Sequence, residues 1–151
     1  MNQIAQLLAS GHIVLDLAVS TKARLFEALG QLFQSTLGLS PASIVASLTA
    51  REKLGSTGLG QGIAIPHGRI KGLQSAAGAY ARLATPIDFD APDGKPVSQV
   101  FVLLVPEHAT DRHLQLLSEL AQMFSERGFR ERLAAASTPD EIGELFQSWG
   151  P

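Results

Sequence analysis

The sequence predicts an α/β fold in which helices cover a β-sheet. Helical and strand patterns alternate along the chain, which is typical of a sheet flanked by helices. The segment Val97–Val105 is an almost continuous apolar run closed by Pro106, as expected of a buried strand. A length of 151 residues fits a single domain covering positions 1–151. The pattern leaves open whether neighbouring strands are parallel or antiparallel.

Capping and stop signals delimit the elements of the first half. A capping side chain accepts a hydrogen bond from a backbone N–H group of the first turn, and glycine commonly ends a helix. These signals predict a short helix capped by Asn2 and running through Ala9, a strand over His12–Leu17 with His12 exposed, a helix over Thr21–Leu37 capped by Ser20, and a helix from Pro41 to about Leu54 capped by Ser40. Arg51 then lies in the last turn of the third helix.

The second half continues the alternation. The predicted elements are a strand around Ala76–Leu83, a separate extended piece near Ile87, a turn at Asp93-Gly94, the strand Val97–Val105, a helix over Asp111–Arg127 capped by Thr110, a helix over Phe129–Ala136, and a last helix that starts at a capping box, Thr138–Glu141. In the helix after Thr110, the residues predicted to face the core are Leu114, Leu117, Leu120, Ala121 and Phe124.

The most informative stretch is Arg51–Arg69, which reads REKLGSTGLGQGIAIPHGR. Ile63–Ile65 is long enough for one buried strand and leads directly into Pro66. Proline fixes its own φ and favours an extended conformation in the residue before it. We therefore expect His67 at the end of a strand, on a stiff turn that presents its side chain.

Composition narrows the function classes. The net charge is −2 and no lysine and arginine cluster occurs, which argues against nucleic-acid binding and attraction to a membrane surface. The chain has no cysteine, which excludes disulfides, cysteine-ligated zinc and thiol catalysis. No apolar run is long enough to span a bilayer and no signal-peptide pattern is present, so we expect a cytoplasmic protein without membrane insertion.

A neutral imidazole is a nucleophile that can accept a phosphoryl group and pass it on. Such a site needs fixed positive charge and N–H donors for the phosphoryl oxygens. The alternative is that the glycine-containing segment before His67 only connects two elements and that His67 is a hydrogen-bonded turn residue. Besides Arg51, the candidate donors form a phosphoryl-binding loop comprising Gly55, Ser56, Thr57, Gly58, Gly60, Gly62 and Gly68.

A second histidine, His113, occupies about the third position after the Thr110 cap. Backbone N–H groups and the helix dipole favour an anion there, so His113 could orient His67 or donate to phosphoryl oxygens. The alternative is a solvated residue of the first turn. His108 is expected to be exposed. No carboxylate has recognisable ligand spacing to these histidines, so we expect no metal site.

Several motifs resemble a known family. LGQGIAIPHG at Leu59–Gly68, with Glu52 before it, resembles the active-site signature of the mannitol/fructose-type IIA domains of the bacterial phosphotransferase system. REKLGSTG at Arg51–Gly58, TPIDFDAPDGKPV at Thr85–Val97 and LLVPEHATDRHLQLLSELA at Leu103–Ala121 resemble its nitrogen-regulatory branch. The resemblance covers nearly the whole chain.

The resemblance implies a mixed β-sheet with helices on both faces and a phosphocarrier without cofactor. His67 would accept a phosphoryl group from a phosphohistidine on an HPr-like protein, Arg51 would help to neutralise it, and His113 would lie beside His67. In the nitrogen-regulatory branch the phosphorylation state is read by partner proteins such as potassium-uptake regulators.

Two alternatives remain open. The first is a free-standing sugar-specific IIA component, which would pass phosphate to a separate IIB protein because this chain has no cysteine of its own. The second is a binding module without phosphotransfer, which would be expected to lack His67 or Arg51; both are present.

Overall fold

A six-stranded mixed sheet forms the centre of the protein in a computed structural model that describes residues 3–8, 11–108 and 111–149. Asn2, Ala9 and Thr110, which were assigned to predicted helices or caps, lie outside these ranges. The strands are β1 (Ile13–Leu17), β2 (Gly58–Gly60), β3 (Ile63–Ala64), β4 (His67–Ile70), β5 (Ala77–Ile87) and β6 (Val97–Pro106). The helices are α1 (Gln3–Leu7), α2 (Lys22–Leu37), α3 (Pro41–Lys53), α4 (Asp111–Ser125), α5 (Arg127–Ala135) and α6 (Pro139–Ser148).

Strand β6 is the axis of the sheet. It pairs antiparallel with β5 on one side, and β1 extends the sheet by pairing parallel with β5. On its other side β6 pairs first with β3 and then with β4, both parallel. The short strand β2 pairs antiparallel with β3. β3 and β4 therefore act as one interrupted strand along β6, and the interruption falls at residues 65 and 66.

Side chains alternate between the two faces of β6, as the pleat of a strand requires. Val100, Val102 and Leu104 pack with α2 and α3, whereas Phe101 and Leu103 pack with α1, α4, α5 and α6. All five are fully buried, and each such side chain contributes about 1.5–3 kcal/mol through removal from water. The predicted mixed sheet with helices on both faces is confirmed.

Helix boundaries follow the predicted caps in most places. The Ser40 hydroxyl accepts from the Ser43 N–H group at the start of α3, and Thr138 caps α6 in the same way. Gly38 ends α2 in the left-handed conformation, with φ of 70°. The cap of α2 is Thr21 and not Ser20, because the Thr21 hydroxyl accepts from the Arg24 N–H group at 3.1 Å.

The prediction that His12 is exposed is wrong. His12 lies immediately before β1 and is only 1% exposed. Its Nδ1 lies 2.9 Å from the carbonyl oxygen of Gly78 and its Nε2 lies 2.7 Å from Oγ1 of Thr36. The ring also contacts Phe33 edge to face. His12 thus joins α2 to β5, a contact between distant segments that strand patterning does not reveal.

The predicted core face of α4 is partly wrong. Leu120 and Phe124 are buried as expected, but Leu116 and Met123 complete that face and Leu114 is 67% exposed. Helix α4 ends at Ser125, and α5 already begins at Arg127, so the break precedes Gly128. Likewise, the two extended pieces predicted near residues 76–83 and 87 form one strand, β5, with a register shift between Arg82 and Ile87.

Among the described residues, no helix is both long and apolar enough to cross a membrane.

Candidate active site

Three elements bring the predicted site residues together. Arg51 lies in the last turn of α3, His67 opens β4, and His113 is the third residue of α4. His67 was predicted at the end of a strand, but the structure places it just after the interruption, at the first position of β4. Pro66 forms the break: its carbonyl oxygen accepts from the Leu103 N–H group at 3.0 Å, which keeps the turn attached to β6.

Two contacts determine which ring nitrogen of His67 carries the proton. Nδ1 lies 2.9 Å from the carbonyl oxygen of Ile65, which can only accept a hydrogen bond, so Nδ1 is the N–H donor. Nε2 accepts from Nε of Arg51 at 3.2 Å, and a guanidinium can only donate. Both contacts require the same tautomer. The lone pair therefore resides on Nε2.

Electrostatics keep this ring neutral. Burial lowers the pKa of His67 below its ordinary value, and the hydrogen bond to the Ile65 carbonyl opposes this only in part. The Arg51 charge lowers the same pKa further, while the Glu52 charge raises it. A lowered pKa leaves the ring unprotonated near neutral pH, and an unprotonated ring is the nucleophilic form.

Arg51 is held at two points. Besides its contact with His67, its Nη1 donates to the carbonyl oxygen of Gly55 at 2.8 Å. The side chain thus runs between the helix end and the histidine. A guanidinium in this position offers fixed positive charge and several N–H donors beside the nucleophilic nitrogen.

His113 lies next to His67, with ring centroids 5.3 Å apart and the rings nearly perpendicular. Within the described part of the chain, its buried Nδ1 has no hydrogen-bond partner. Burial lowers the pKa of His113, and electrostatic interaction with His67, Arg69 and Arg51 lowers it further. The structure therefore brings His67, Arg51 and His113 together. His108, by contrast, is 93% exposed, as predicted.

The side chains of the predicted phosphoryl-binding loop are engaged within the protein. The Ser56 hydroxyl donates to the carbonyl of Phe89 at 2.5 Å, and the Thr57 hydroxyl donates to Glu52 at 2.6 Å. Both therefore hold the loop in shape. The remaining predicted members are glycines. They lie next to Ser56 and Thr57, in β2, between β2 and β3, or in β4: Gly55, Gly58, Gly60, Gly62 and Gly68. Whether this loop binds phosphoryl oxygens stays a prediction.

Sequence reasoning missed two groups of this site. The first is the main-chain carbonyl of Ile65, which holds Nδ1 of His67. The extended conformation that Pro66 favours in the preceding residue was the available signal. The second is the role of Glu52, which belongs to the quoted signature but was given no function there; its carboxylate lies at the C-terminal end of α3. An acidic side chain is unfavourable at that end of a helix dipole, and this placement was a signal that a partner must stabilise it.

Gly68 allows α3 and β4 to approach each other. A Cβ atom at this position would overlap Oγ of Ser47 and lie 3.1 Å from its Cβ. The Ser47 hydroxyl also donates to the carbonyl of Arg69 at 3.0 Å, which fixes the helix on the strand. These contacts set the spacing between the helix that carries Arg51 and the strand that carries His67.

We expect Gly68→Ala to lower the free energy of unfolding by about 1–3 kcal/mol, because the added methyl group overpacks this contact. Urea unfolding followed by circular dichroism measures the loss. Gly143→Ala is the matched control: a Cβ there lies 3.7 Å from Ile13, an ordinary contact, and alanine is the better helix former. Equal stability of the two variants would contradict the close packing of α3 against β4.

Known proteins are similar to this chain along nearly its whole length. The sequence profile of the family described as "Phosphoenolpyruvate-dependent sugar phosphotransferase system, EIIA 2" matches residues 6–149. The chain is 43% identical over 146 residues to a nitrogen regulatory protein of Pseudomonas aeruginosa, which covers 96% of this chain and 95% of that protein.

Solved structures are also similar to this chain over most of its length. The crystal structure of the nitrogen regulatory protein IIA-Ntr from Neisseria meningitidis is 52% identical and superposes with a TM-score of 0.90, covering 95% of this chain and 99% of that one. The mannitol IIA structure from Escherichia coli is 22% identical, with a TM-score of 0.75 and coverage of 91% of this chain and 96% of that one. The second similarity shows a common fold.

Proposed function

Because the chain belongs to the EIIA 2 family of the phosphoenolpyruvate-dependent sugar phosphotransferase system, we propose that His67 is its phosphoryl acceptor. Relatives with nitrogen-regulatory names match at 43% and 52% identity over nearly their full length. The protein is therefore a phosphocarrier-type regulator of this system, as the sequence motifs predicted. The residues that carry the phosphoryl group are the proposal.

The observation that carries the proposal is the tautomer of His67. With Nδ1 donating to the Ile65 carbonyl, Nε2 holds the lone pair that can attack phosphorus. The Nε2–P bond forms while the P–N bond of a donor phosphohistidine breaks, and its electron pair returns to the donor imidazole. The proton on Nδ1 stays in place, so no separate base is needed.

Groups on both sides of the His67 ring stabilise the charges of the phosphorylated product. The ring becomes more positive as Nε2 bonds to phosphorus, and the Ile65 carbonyl stabilises the Nδ1–H group by accepting from it. The phosphoryl group brings about 1.5–2 negative charges. Arg51, whose N–H group now points to Nε2, turns that donor to a phosphoryl oxygen once the lone pair is used.

His113 completes the pocket in this proposal. Its place in the first turn of α4 puts it where helix N–H groups favour an anion, and its ring packs against that of His67. The buried Nδ1 without a partner among the described residues provides either a donor or an acceptor for an incoming group.

The proposed partners follow from the family. An HPr-type phosphocarrier is the donor, and the phosphorylated protein is read by regulatory targets. The alternative is onward transfer to a separate IIB protein. A solved complex of mannitol IIA with phosphorylated mannitol IIB from Escherichia coli is 22% identical to this chain, so it shows the common fold.

The test is incubation with phosphoenolpyruvate, enzyme I and an HPr-type carrier, followed by intact mass measurement. We expect one acid-labile phosphoryl group, and none when the carrier is omitted. A folded protein that gains no mass would contradict phosphocarrier function. Adding purified fructose and mannitol IIB proteins then separates the alternatives: retention of the label supports a regulator, and rapid loss to a IIB supports the sugar-specific role.

A further inference from the structure

A chain of hydrogen bonds leads from the end of α3 to the ring of His67 without passing through Arg51. It begins at the carboxylate of Glu52, whose side chain is 8% exposed. The carboxylate accepts from the Thr57 N–H group at 3.1 Å and from the Thr57 hydroxyl at 2.6 Å. Both polar groups that Thr57 can donate are therefore directed at Glu52.

Lys22 anchors this carboxylate from the other side. Its Nζ lies 2.8 Å from Oε2 of Glu52 and 4.9 Å from the centroid of the Phe89 ring. A negative charge at the C-terminal end of a helix is unfavourable, so a cation and two further donors offset its burial. Glu52 is thus held rigidly between α2 and the loop that follows α3.

The chain continues through the backbone of Thr57 and Ile65. The carbonyl of Thr57 accepts from the Ile65 N–H group at 3.0 Å. The carbonyl of Ile65 in turn accepts from Nδ1 of His67 at 2.9 Å. The hairpin of β2 and β3 lies between Thr57 and Ile65, so these two residues close its base. The position of Thr57 thereby fixes the residue that holds the histidine proton.

We propose that Glu52 is a positioning residue that, through Thr57 and Ile65, keeps the proton of His67 on Nδ1 and the lone pair on Nε2. Consecutive residues of α3 then control the two ring nitrogens: Arg51 contacts Nε2 directly, and Glu52 acts on Nδ1 through the relay. The inference rests on the proposed role of His67 as phosphoryl acceptor.

The tautomer has a direct consequence for reactivity. Free histidine in water favours the form protonated at Nε2, whose Nε2 has no lone pair in the ring plane to attack phosphorus. The tautomer in a protein is decided by the hydrogen bond that the other nitrogen makes. Loosening the Ile65 carbonyl should therefore return part of the population to the unreactive form.

The relay can be tested without any phosphoryl donor. Long-range ¹H–¹⁵N spectra of the ¹⁵N-labelled protein report which ring nitrogen of His67 carries the proton. The spectra are recorded at a pH above the lowered pKa of His67, where the ring is neutral. We expect the Nδ1–H form in the wild type and a mixture with the Nε2–H form in Glu52→Ala. The initial rate of phosphorylation by the HPr-type carrier should fall about tenfold to a hundredfold in that variant, since small displacements of reacting groups are costly.

Thr57 provides a pair of variants that preserves the Glu52 charge and decides the question even where Glu52→Ala fails to fold. Thr57→Val removes the hydroxyl at similar volume and should shift the tautomer in the same direction. Thr57→Ser keeps the hydroxyl and should restore the Nδ1–H form. Wild-type tautomer and rate in Thr57→Val would overturn the relay.

Arg82→Ala is the control for stability alone. Arg82 lies on β5, and its Nη1 donates to three carbonyls at the end of α5, those of Leu133, Ala134 and Ala136. We expect a lower melting temperature with an unchanged tautomer and rate. A tautomer shift in Arg82→Ala equal to that in Glu52→Ala would show a general loss of stability and overturn the relay. The two proposals can also fail separately. If the relay variants show the tautomer shift but the wild-type protein accepts no phosphoryl group, the relay is upheld and the proposed function is overturned.

Discussion

Replacing His67 with alanine should reduce phosphorylation by at least about a thousandfold, since the nucleophile itself is lost. Within the described residues, Nδ1 of His113 has no hydrogen-bond partner, so no contact at that nitrogen fixes the tautomer of its ring as the Ile65 carbonyl does for His67. The measurement is incorporation of label from phosphoenolpyruvate through enzyme I and an HPr-type carrier.

His108→Ala is the matched control for this result. It removes a histidine that lies two residues beyond β6 and is almost fully exposed, where its Nε2 approaches Glu107. We expect its phosphorylation to remain at the wild-type level. Labelling of His67→Ala at the wild-type rate, with an unchanged circular dichroism spectrum, would place the phosphoryl group on another residue.

Arg51→Ala should slow phosphorylation about a hundredfold to a thousandfold, the usual effect of removing a charged donor to a group that gains negative charge. Arg51 also holds the loop through the Gly55 carbonyl, so its removal loosens the neighbourhood of His67. Arg51→Lys should recover only part of the rate, because one ammonium cannot bridge both positions as the planar guanidinium does. Initial rates at saturating carrier measure both variants.

The control for Arg51 is Lys53→Ala, which removes an exposed cation from the same helical turn. It should leave the rate close to that of the wild type, because a screened surface charge contributes little. Equal losses in Arg51→Ala and Lys53→Ala would indicate that only the general positive charge of this helix end matters. The specific contact with Nε2 of His67 would then be excluded as the cause.

Local signals in the sequence located most of the helix ends. Caps and stop residues such as Ser40, Gly38 and Thr138 act within one turn of chain, so the sequence contains all that determines them. The Pro66-His67 pair likewise indicated a presented histidine. The predicted position of His67 at the end of a strand was wrong, because His67 starts β4. This follows from the pairing of β3 and β4 with β6, which joins segments more than thirty residues apart.

What could not be predicted depends on tertiary contacts. The burial of His12 arises from Gly78 and Thr36, which reach it from β5 and α2. The exposure of Leu114 reflects the rotation of α4 on the sheet, which the apolar spacing alone did not resolve. In the site, the pairing of Lys22 with Glu52 joins two helices and could not be read from the motif around Arg51.

In the phosphorylated protein, we expect the phosphoryl group to be bonded to Nε2 of His67 while Nδ1 keeps its proton. Long-range ¹H–¹⁵N and ³¹P spectra of the phosphorylated, ¹⁵N-labelled protein test it most directly. We expect the phosphorus to couple to Nε2 of His67, and Nδ1 to remain an N–H donor to the Ile65 carbonyl. A phosphoryl group found on Nδ1 of His67, or on any other residue, would contradict the account.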